Sequence, residues 1–403
     1  MCSSDLADVL VGAWGADRGG SGSGVAYVVL GPVSDTDLGS ADADLIGENP
    51  SDEAGYDVAS AGDVDGDGHD DLVLGAIGYS NGGGGYLVLG PVLGSVDLSL
   101  ADVRWTESTS SYALGTSVFG GGDLDGDGTG DVGMTAQGAN EGGGSSSGAA
   151  YVLSGTSSGG DASTDAVAIV YGNARNARLG DSVTVADFDG DGQVDLAVGG
   201  AVDDTFATDA GAVYVFYGPL AGTVAASSAD LTLTGAAASD IFGESLAFGD
   251  FDGDGALELV VGATGASGDD GEVYVLAAVA STSASAVATI GDLGTDALAG
   301  TSVDAIDDLD GDGLPELLLG APGDDTVVTN GGVAALYTSP LSGTFGRDDA
   351  TALFTGASGD TLGDCVASAG DTDGDGLDDL LFGAYGLDDG GTSAGGAYLV
   401  LGR

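Results

Sequence analysis

The sequence predicts an all-β chain built from repeated four-stranded blades, the arrangement of a β-propeller. Three observations predict it. An acidic nine-residue pattern recurs six times at intervals of 58 to 64 residues. Between its copies lie apolar runs of four to seven residues, rich in Val, Leu, Tyr and Phe and bounded by Gly, Asp, Ser and Asn. No 11-residue window shows a convincing 3.6-residue apolar period, so these runs read as strands and not helices.

The composition agrees. The chain has 403 residues, 43% of them apolar, enough for a core despite a net charge of −59. The 79 glycines suit many tight turns. Its 65 acids are 57 Asp and 8 Glu, and all six basic residues are Arg. Nucleic acid and anionic membrane surfaces are excluded as partners, because both need a basic footprint. Schiff-base and P-loop lysine chemistry is excluded because there is no Lys. One histidine, His69, argues against a histidine triad or a His-rich metal site. Cys2 and Cys365 cannot form a disulfide framework. No stretch reads as a membrane span; the longest apolar-leaning run, 273–290, is broken by Ser and Thr from 281 onward. No leader peptide is visible. Residues 1–6, MCSSDL, read as a non-native remnant, so its absence carries no weight.

The elements follow in order within each repeat. A first strand, A, opens on G-x-[SDC]-[VL]: Gly55 to Val58, then at 115, 180, 243, 300 and 363. The acidic loop comes next, D-x-D-G-D-G-x-x-[DE], at 63–71, 123–131, 187–195, 250–258, 308–316 and 371–379. Strand B is a short apolar run such as ELLLGA at 316–321. A Gly-rich stretch leads to strand C, such as AVYVFY at 212–217, and a looser run, LTLT at 231–234, supplies strand D. A partial repeat occupies 7–46, where DVLVGA at 8–13 matches DLVLGA at 71–76.

The loop's chemistry is that of a hard cation. Asp63, Asp65 and Asp67 can each offer a carboxylate oxygen, His69 its backbone carbonyl, and Asp71 one or two oxygens. The same roles fall to Asp123, Asp125, Asp127, Thr129 and Asp131; to Asp187, Asp189, Asp191, Gln193 and Asp195; and to Asp250, Asp252, Asp254, Ala256 and Glu258. The last two sets are Asp308, Asp310, Asp312, Leu314 and Glu316, and Asp371, Asp373, Asp375, Leu377 and Asp379. Six or seven oxygens suit Ca²⁺ and not Zn²⁺ or Cu²⁺, giving about six sites. An EF-hand is excluded, because its twelfth position needs Glu and here holds Leu74, Met134, Val198, Val261, Leu319 or Phe382. The alternative, an acidic turn with no ion, would crowd four carboxylates without compensation. With the ligands all from protein and no His, Lys or Arg recurring beside them, the ions read as structural.

These motifs resemble the FG-GAP repeat of integrin α-subunit propellers and their bacterial relatives. "FG" stands at Phe242-Gly243 and as Leu-Gly at 114, 179 and 362; "GAP" is literal at 320–322. The resemblance covers residues 7–403 and implies a single seven-bladed propeller with calcium loops between strands A and B. Counting strands, the chain opens at strand B of blade 1 and ends at strand C of blade 7, so the first blade is expected to lack its inner strand, as an N-terminally truncated ring would. The resemblance also implies that B–C and D–A connections share the face opposite the calcium loops, and that ligands bind there.

That leads to the functional expectation: a secreted, calcium-stabilised binding or adhesion propeller engaging an extracellular protein or glycan, without membrane insertion and without catalysis. The alternatives are the non-catalytic propeller of a secreted polysaccharide- or phosphodiester-cleaving enzyme, and a structural envelope protein. No constellation of His, Lys, Tyr or paired Glu stands outside the loops to suggest chemistry of its own. Neither an RGD-like nor a D-x-S-x-S motif occurs. The B–C stretches 139–148, 202–211 and 386–395 vary, and Trp14 begins another. Arg175 and Arg178, in the D–A connection 171–180, read either as surface partners of the acidic body or as contacts for a ligand carboxylate or sulfate. Cys365, where four sister repeats carry Ser, reads as a small packed thiol. Tyr27, Tyr86, Tyr151, Tyr214, Tyr274 and Tyr398 share one strand-C position and read as blade packing. The glycine tracts 82–85 and 142–144 read as hairpin loops and offer no phosphate cradle.

Overall fold

A computed structural model describes residues 6–33, 37–109, 111–140, 142, 144–277, 286–388 and 394–402. The remnant at 1–6 therefore lies almost wholly outside the described residues. The strands form seven sheets, each following chain order outward from A, and the fold is a seven-bladed β-propeller. The chain divides into two compact units: Met1–Asp187 with Asp191–Val198 and Tyr214–Asp230, and Phe188–Gly190 with Gly199–Val213 and Leu231–Arg403.

In the first unit, blade 1 consists of Val9–Ala13, Val25–Val29 and Ala43–Ile46, which are strands B, C and D. Among the described residues this sheet contains no strand A. Blade 2 has all four: Ala54–Gly62, Asp71–Ala76, Gly84–Val88 and Val103–Thr106. Blade 3 follows with Leu114–Gly122, Asp131–Ala136, Ala149–Ser154 and Ala168–Tyr171. Neighbouring strands run antiparallel, as in Leu74 opposite both Val58 and Tyr86. Strand B is buried on both faces in blade 3 because blades pack on either side of it. Trp105, Tyr151, Met134, Leu114 and Leu153 meet in the core between blades 2 and 3.

In the second unit, blade 5 is Phe242–Gly249, Glu258–Ala263, Glu272–Leu276 and Ala286–Ile290. Blade 6 is Ser302–Ile306, Glu316–Ala321, Val333–Tyr337 and Ala352–Thr355; blade 7 is Leu362–Gly370, Asp379–Ala384 and Gly396–Val400, strands A to C. Phe251, Val260, Leu317, Leu319 and Tyr337 fill the core between blades 5 and 6. The remaining sheet, blade 4, contains Ser182–Ala186, Asp195–Gly200, Ala212–Phe216 and Leu231–Thr234.

Successive blades are laced by single parallel bridges from the start of strand C to the start of the next strand A: Gly83 to Leu114, Gly148 to Leu179, Gly271 to Ala299, Gly332 to Leu362. Glycine is required there. Gly83 has φ +87°, and a Cβ would lie 2.3 Å from the Leu114 nitrogen. The Leu-Gly and Phe-Gly pairs thus mark a blade-to-blade contact.

One set of elements is not foreseen from the sequence. The connection between strands C and D carries a short strand that pairs in parallel with the outer strand of the preceding blade. Gly94–Asp97 joins Ala43–Ile46, Gly222–Ala225 joins Ala168–Tyr171, and Gly343–Phe345 joins Ala286–Ile290. Gly160–Asp161 does the same for Trp105 and Thr106. Each covers an otherwise open sheet edge. Two further expectations change. Gly84 and Gly85 begin strand C and are not in a loop. Cys365 is exposed, not packed, whereas the equivalent Ser302 accepts the N–H of Val366 of the following blade at 3.0 Å. The shared tyrosine position is buried at Tyr27, Tyr86, Tyr151 and Tyr214, half-buried at Tyr274, and 38% exposed at Tyr398 in the last blade. No helix of the described residues is long and apolar enough to cross a membrane.

Candidate metal loops and the opposite face

Each acidic loop joins an inner strand A to strand B, and its own carboxylates fold it. In all six copies the first Asp accepts the N–H of the glycine at position 6, at 2.8–3.0 Å: Asp63 from Gly68, Asp123 from Gly128, Asp187 from Gly192, Asp250 from Gly255, Asp308 from Gly313, Asp371 from Gly376. The fifth residue likewise accepts the N–H of the seventh: Asp67 from His69, Asp127 from Thr129, Asp191 from Gln193, Asp254 from Ala256, Asp312 from Leu314, Asp375 from Leu377. The third, as in Asp65, Asp125, Asp252, Asp310 and Asp373, accepts from the fifth N–H. The turns need left-handed backbone at both glycines; Gly66 and Gly68 have φ +79° and +91°. Position 7 enters every copy through its backbone N–H, with the Thr129 hydroxyl adding a second bond to Asp127, so His, Thr, Gln, Ala and Leu can interchange there.

The ninth residue does a different job. Asp71, Asp131, Asp195, Glu258, Glu316 and Asp379 are all buried, whereas the fifth residue is exposed in every loop and Asp189 is exposed too. One oxygen of the ninth carboxylate accepts the N–H of position 2: Val64 to Asp71, Leu124 to Asp131, Phe251 to Glu258, Leu309 to Glu316 and Thr372 to Asp379, at 2.6–2.9 Å. The other accepts an N–H from the turn after strand C: Gly90 to Asp71, Gly218 to Asp195, Gly402 to Asp379 and, in the partial repeat, Gly31 to Asp8, at 2.7–2.9 Å. At Asp71 and Asp379 the ninth carboxylate therefore holds the A–B loop to the C–D turn of its own blade. Sequence reading missed this second duty and the anchor at position 2; the buried Val64, Leu124, Phe188 and Phe251 were the available signal.

Three acids converge in each of five loops. Carboxylate oxygens of Asp63, Asp65 and Asp71 lie within 4.8 Å of one another, as do those of Asp123, Asp125 and Asp127, of Asp250, Asp252 and Asp254, and of Asp308, Asp310 and Asp312. Two of the ninth carboxylates keep a buried oxygen with no hydrogen-bond partner, Oδ1 of Asp131 and Oε1 of Glu316. Burial, then the neighbouring Asp125, push Asp131 up to about 7; burial and Asp252 do the same to Glu258, and burial with Asp310 and Asp308 to Glu316. Crowded oxygen donors, orphaned buried oxygens and raised carboxyl groups are what a hard divalent cation would relieve, so the residues fit one.

The antiparallel order fixes the faces. A–B loops and C–D turns lie at one end of a blade, B–C and D–A connections at the other. In blade 3 the D–A connection lies against the B–C loop: the N–H groups of Asn176, Arg178 and Leu179 donate to the carbonyls of Ser145, Ser146 and Ser147 at 3.0–3.1 Å. Arg175 and Arg178 therefore sit at the end away from the acidic loop of their blade. On the same type of end, Trp14 is 52% exposed with its ring centroid 6.2 Å from that of Tyr56.

Repeated four-stranded blades with an acidic A–B loop define a loop-bearing β-propeller. FG-GAP repeats match residues 179–216, 242–276 and 299–337, so the chain carries FG-GAP repeats on its seven-bladed fold. It is also similar to phosphatidylinositol-glycan-specific phospholipase D: 32% identical over 187 residues to the protein of Rattus norvegicus, covering 45% of this chain and 22% of that one. The Bos taurus protein is 33% identical over 162 residues, covering 39% and 19%, and the Homo sapiens protein 33% over 165, covering 39% and 19%. The matched part spans about a fifth of these relatives' length.

Proposed function

We propose that this chain is a calcium-stabilised extracellular binding propeller, its ions held by the six A–B loops and its partner, a protein or glycan, met by the B–C and D–A connections. The observation that carries the calcium reading is the pair of buried, unpartnered oxygens on Asp131 and Glu316 within loops of converging carboxylates. When bound, calcium supplies positive charge to those carboxylates. The chain's own residues do the rest. Asp71 and Asp379 hold loop to C–D turn, and the position-6 glycine N–H groups orient the first Asp. Extracellular modules bind calcium at about 10⁻⁴–10⁻³ M, a level filled outside cells and empty in cytosol. Isothermal titration should show about six sites in that range. Saturation below about 10⁻⁶ M would remove the argument for an extracellular setting.

A second reading has its own support, the similarity to proteins named phosphatidylinositol-glycan-specific phospholipase D. In it the chain serves as the propeller portion of a phosphodiester-cleaving enzyme. Assay of the isolated chain on a phosphodiester substrate tests for intrinsic activity, and the binding-propeller reading expects none.

A further inference from the structure

We infer that Arg175 and Arg178 form an oxyanion subsite for an acidic glycan, which rests on the reading of the chain as a binding propeller and names its ligand class. The chain has 65 acids and six arginines. Three of the arginines are paired: Arg18 with Asp44, Arg104 with Glu48, and Arg347 with Asp324. Arg403 lies outside the described residues. Arg175 and Arg178 are both exposed, and neither makes an ion pair with any described residue. In so acidic a chain, two nearby exposed cations in no ion pair with a described carboxylate mark a place where the surface is open to one.

The sister turns show how. Six D–A turns share one backbone path, with left-handed residues two apart: Ser51 and Glu53, Ser111 and Ala113, Asn176 and Arg178, Ser239 and Ile241, Asp296 and Leu298, Gly359 and Thr361. The turn is thus a feature of the blade, and only its residues differ. In three turns the intervening residue is a buried acid, Asp52, Asp240 or Asp360, which accepts the N–H of Asn49, Ala237 or Ala357. Between Asn176 and Arg178 it is Ala177. Residues 166–180 contain no acid at all, and the facing B–C loop, 137–148, contains only Glu141, which lies outside the described residues. No described residue of these two segments carries a carboxylate to cancel the two positive charges, on a molecule of net charge −59.

That combination selects the ligand. Long-range repulsion by the body disfavours a polyanion, while two guanidinium groups can pair a single carboxylate or sulfate through fork-shaped contacts. The exposed neighbours are uncharged hydrogen-bonding groups, Asn140, Asn173, Asn176 and Ser145, suited to sugar hydroxyls. The backbone beneath is held in advance by the bonds from Asn176, Arg178 and Leu179 to the B–C loop.

The test is isothermal titration of the full chain in millimolar calcium with a carboxylated trisaccharide, a sulfated trisaccharide, their uncharged counterpart and inorganic sulfate alone. One or both acidic trisaccharides should bind at least about ten-fold tighter than the uncharged one, and R175Q/R178Q should lose that margin while melting as the parent does; the carboxylated and sulfated arms tell which oxyanion is preferred. Equal affinity for acidic and uncharged sugars, undiminished binding by R175Q/R178Q, or no binding of any sugar overturns the subsite. Melting with and without calcium on the same samples reports separately on the calcium reading.

Discussion

Asp67 and Asp71 lie four residues apart in one loop and do unlike work. Asp67 is exposed and accepts one N–H, from His69, whereas Asp71 is fully buried and accepts from Val64 and from Gly90. Truncating Asp71 leaves two donors without a partner, at about 1–3 kcal/mol each. Asp71→Ala should therefore cost about 3 kcal/mol or more in denaturant unfolding with excess EDTA, and Asp67→Ala under about 1. Equal costs would show that the ninth carboxylate matters only as an ion ligand. The spacing of the acids was legible because a cation fixes which positions need oxygen. The second duty was not, because it depends on Gly90, which lies in another turn. Asp304 offers a separate check. Burial, and secondarily Asp307, raise it to about 6 from 3.8 while it accepts the Ser368 N–H at 2.8 Å. A carboxyl raised in the folded state binds its proton more tightly there, so its contribution is present below about pH 4 and lost as pH rises through about 6. Asp304→Asn, melted in saturating calcium, should flatten the decline between those pH values by a few degrees relative to the parent. Parallel pH profiles would contradict the assignment.

At the scale of elements, strands A to D were legible because each is a bounded apolar run with its own turn signals. The parallel strands of the C–D connections were not. Gly94–Asp97 and Gly222–Ala225 mix glycine with polar residues, and their partners belong to the preceding blade. They matter to the outer edge. Trp105 is fully buried on strand D of blade 2, and its indole N–H donates at 2.5 Å to Asp165 of blade 3, whose carboxylate also accepts from Ser157. Trp105→Phe removes one ring of a fully buried indole and leaves a half-buried carboxylate short of a donor. It should cost about 1–3 kcal/mol in chemical denaturation, and Trp105→Phe combined with Asp165→Leu should recover part of that. Strict additivity of the two changes would mean that the bond does not couple the blades. Cys365 and Tyr398 carry a related lesson: repeat position does not by itself foretell burial, since Tyr398 is 38% exposed where Tyr86 and Tyr151 are fully buried.

The whole molecule concentrates its charge in the loops, where six sets of four carboxylates carry 24 of the 65 acids. Six divalent ions would cancel half of those charges, and without them the repulsion falls on the hairpins that join strands A and B. An ion that binds only the folded state stabilises it by about 1.4 kcal/mol per site at ten times Kd, so six additive sites would give about 8 kcal/mol. That is comparable with the roughly 5–15 kcal/mol that separates a folded domain from its unfolded state. The measurement that tests this most directly is a thermal melt in millimolar calcium and again in excess EDTA, at fixed ionic strength so that screening is constant. The account predicts a fall of tens of degrees, or loss of the folded state, on chelation; superimposable melts would contradict it.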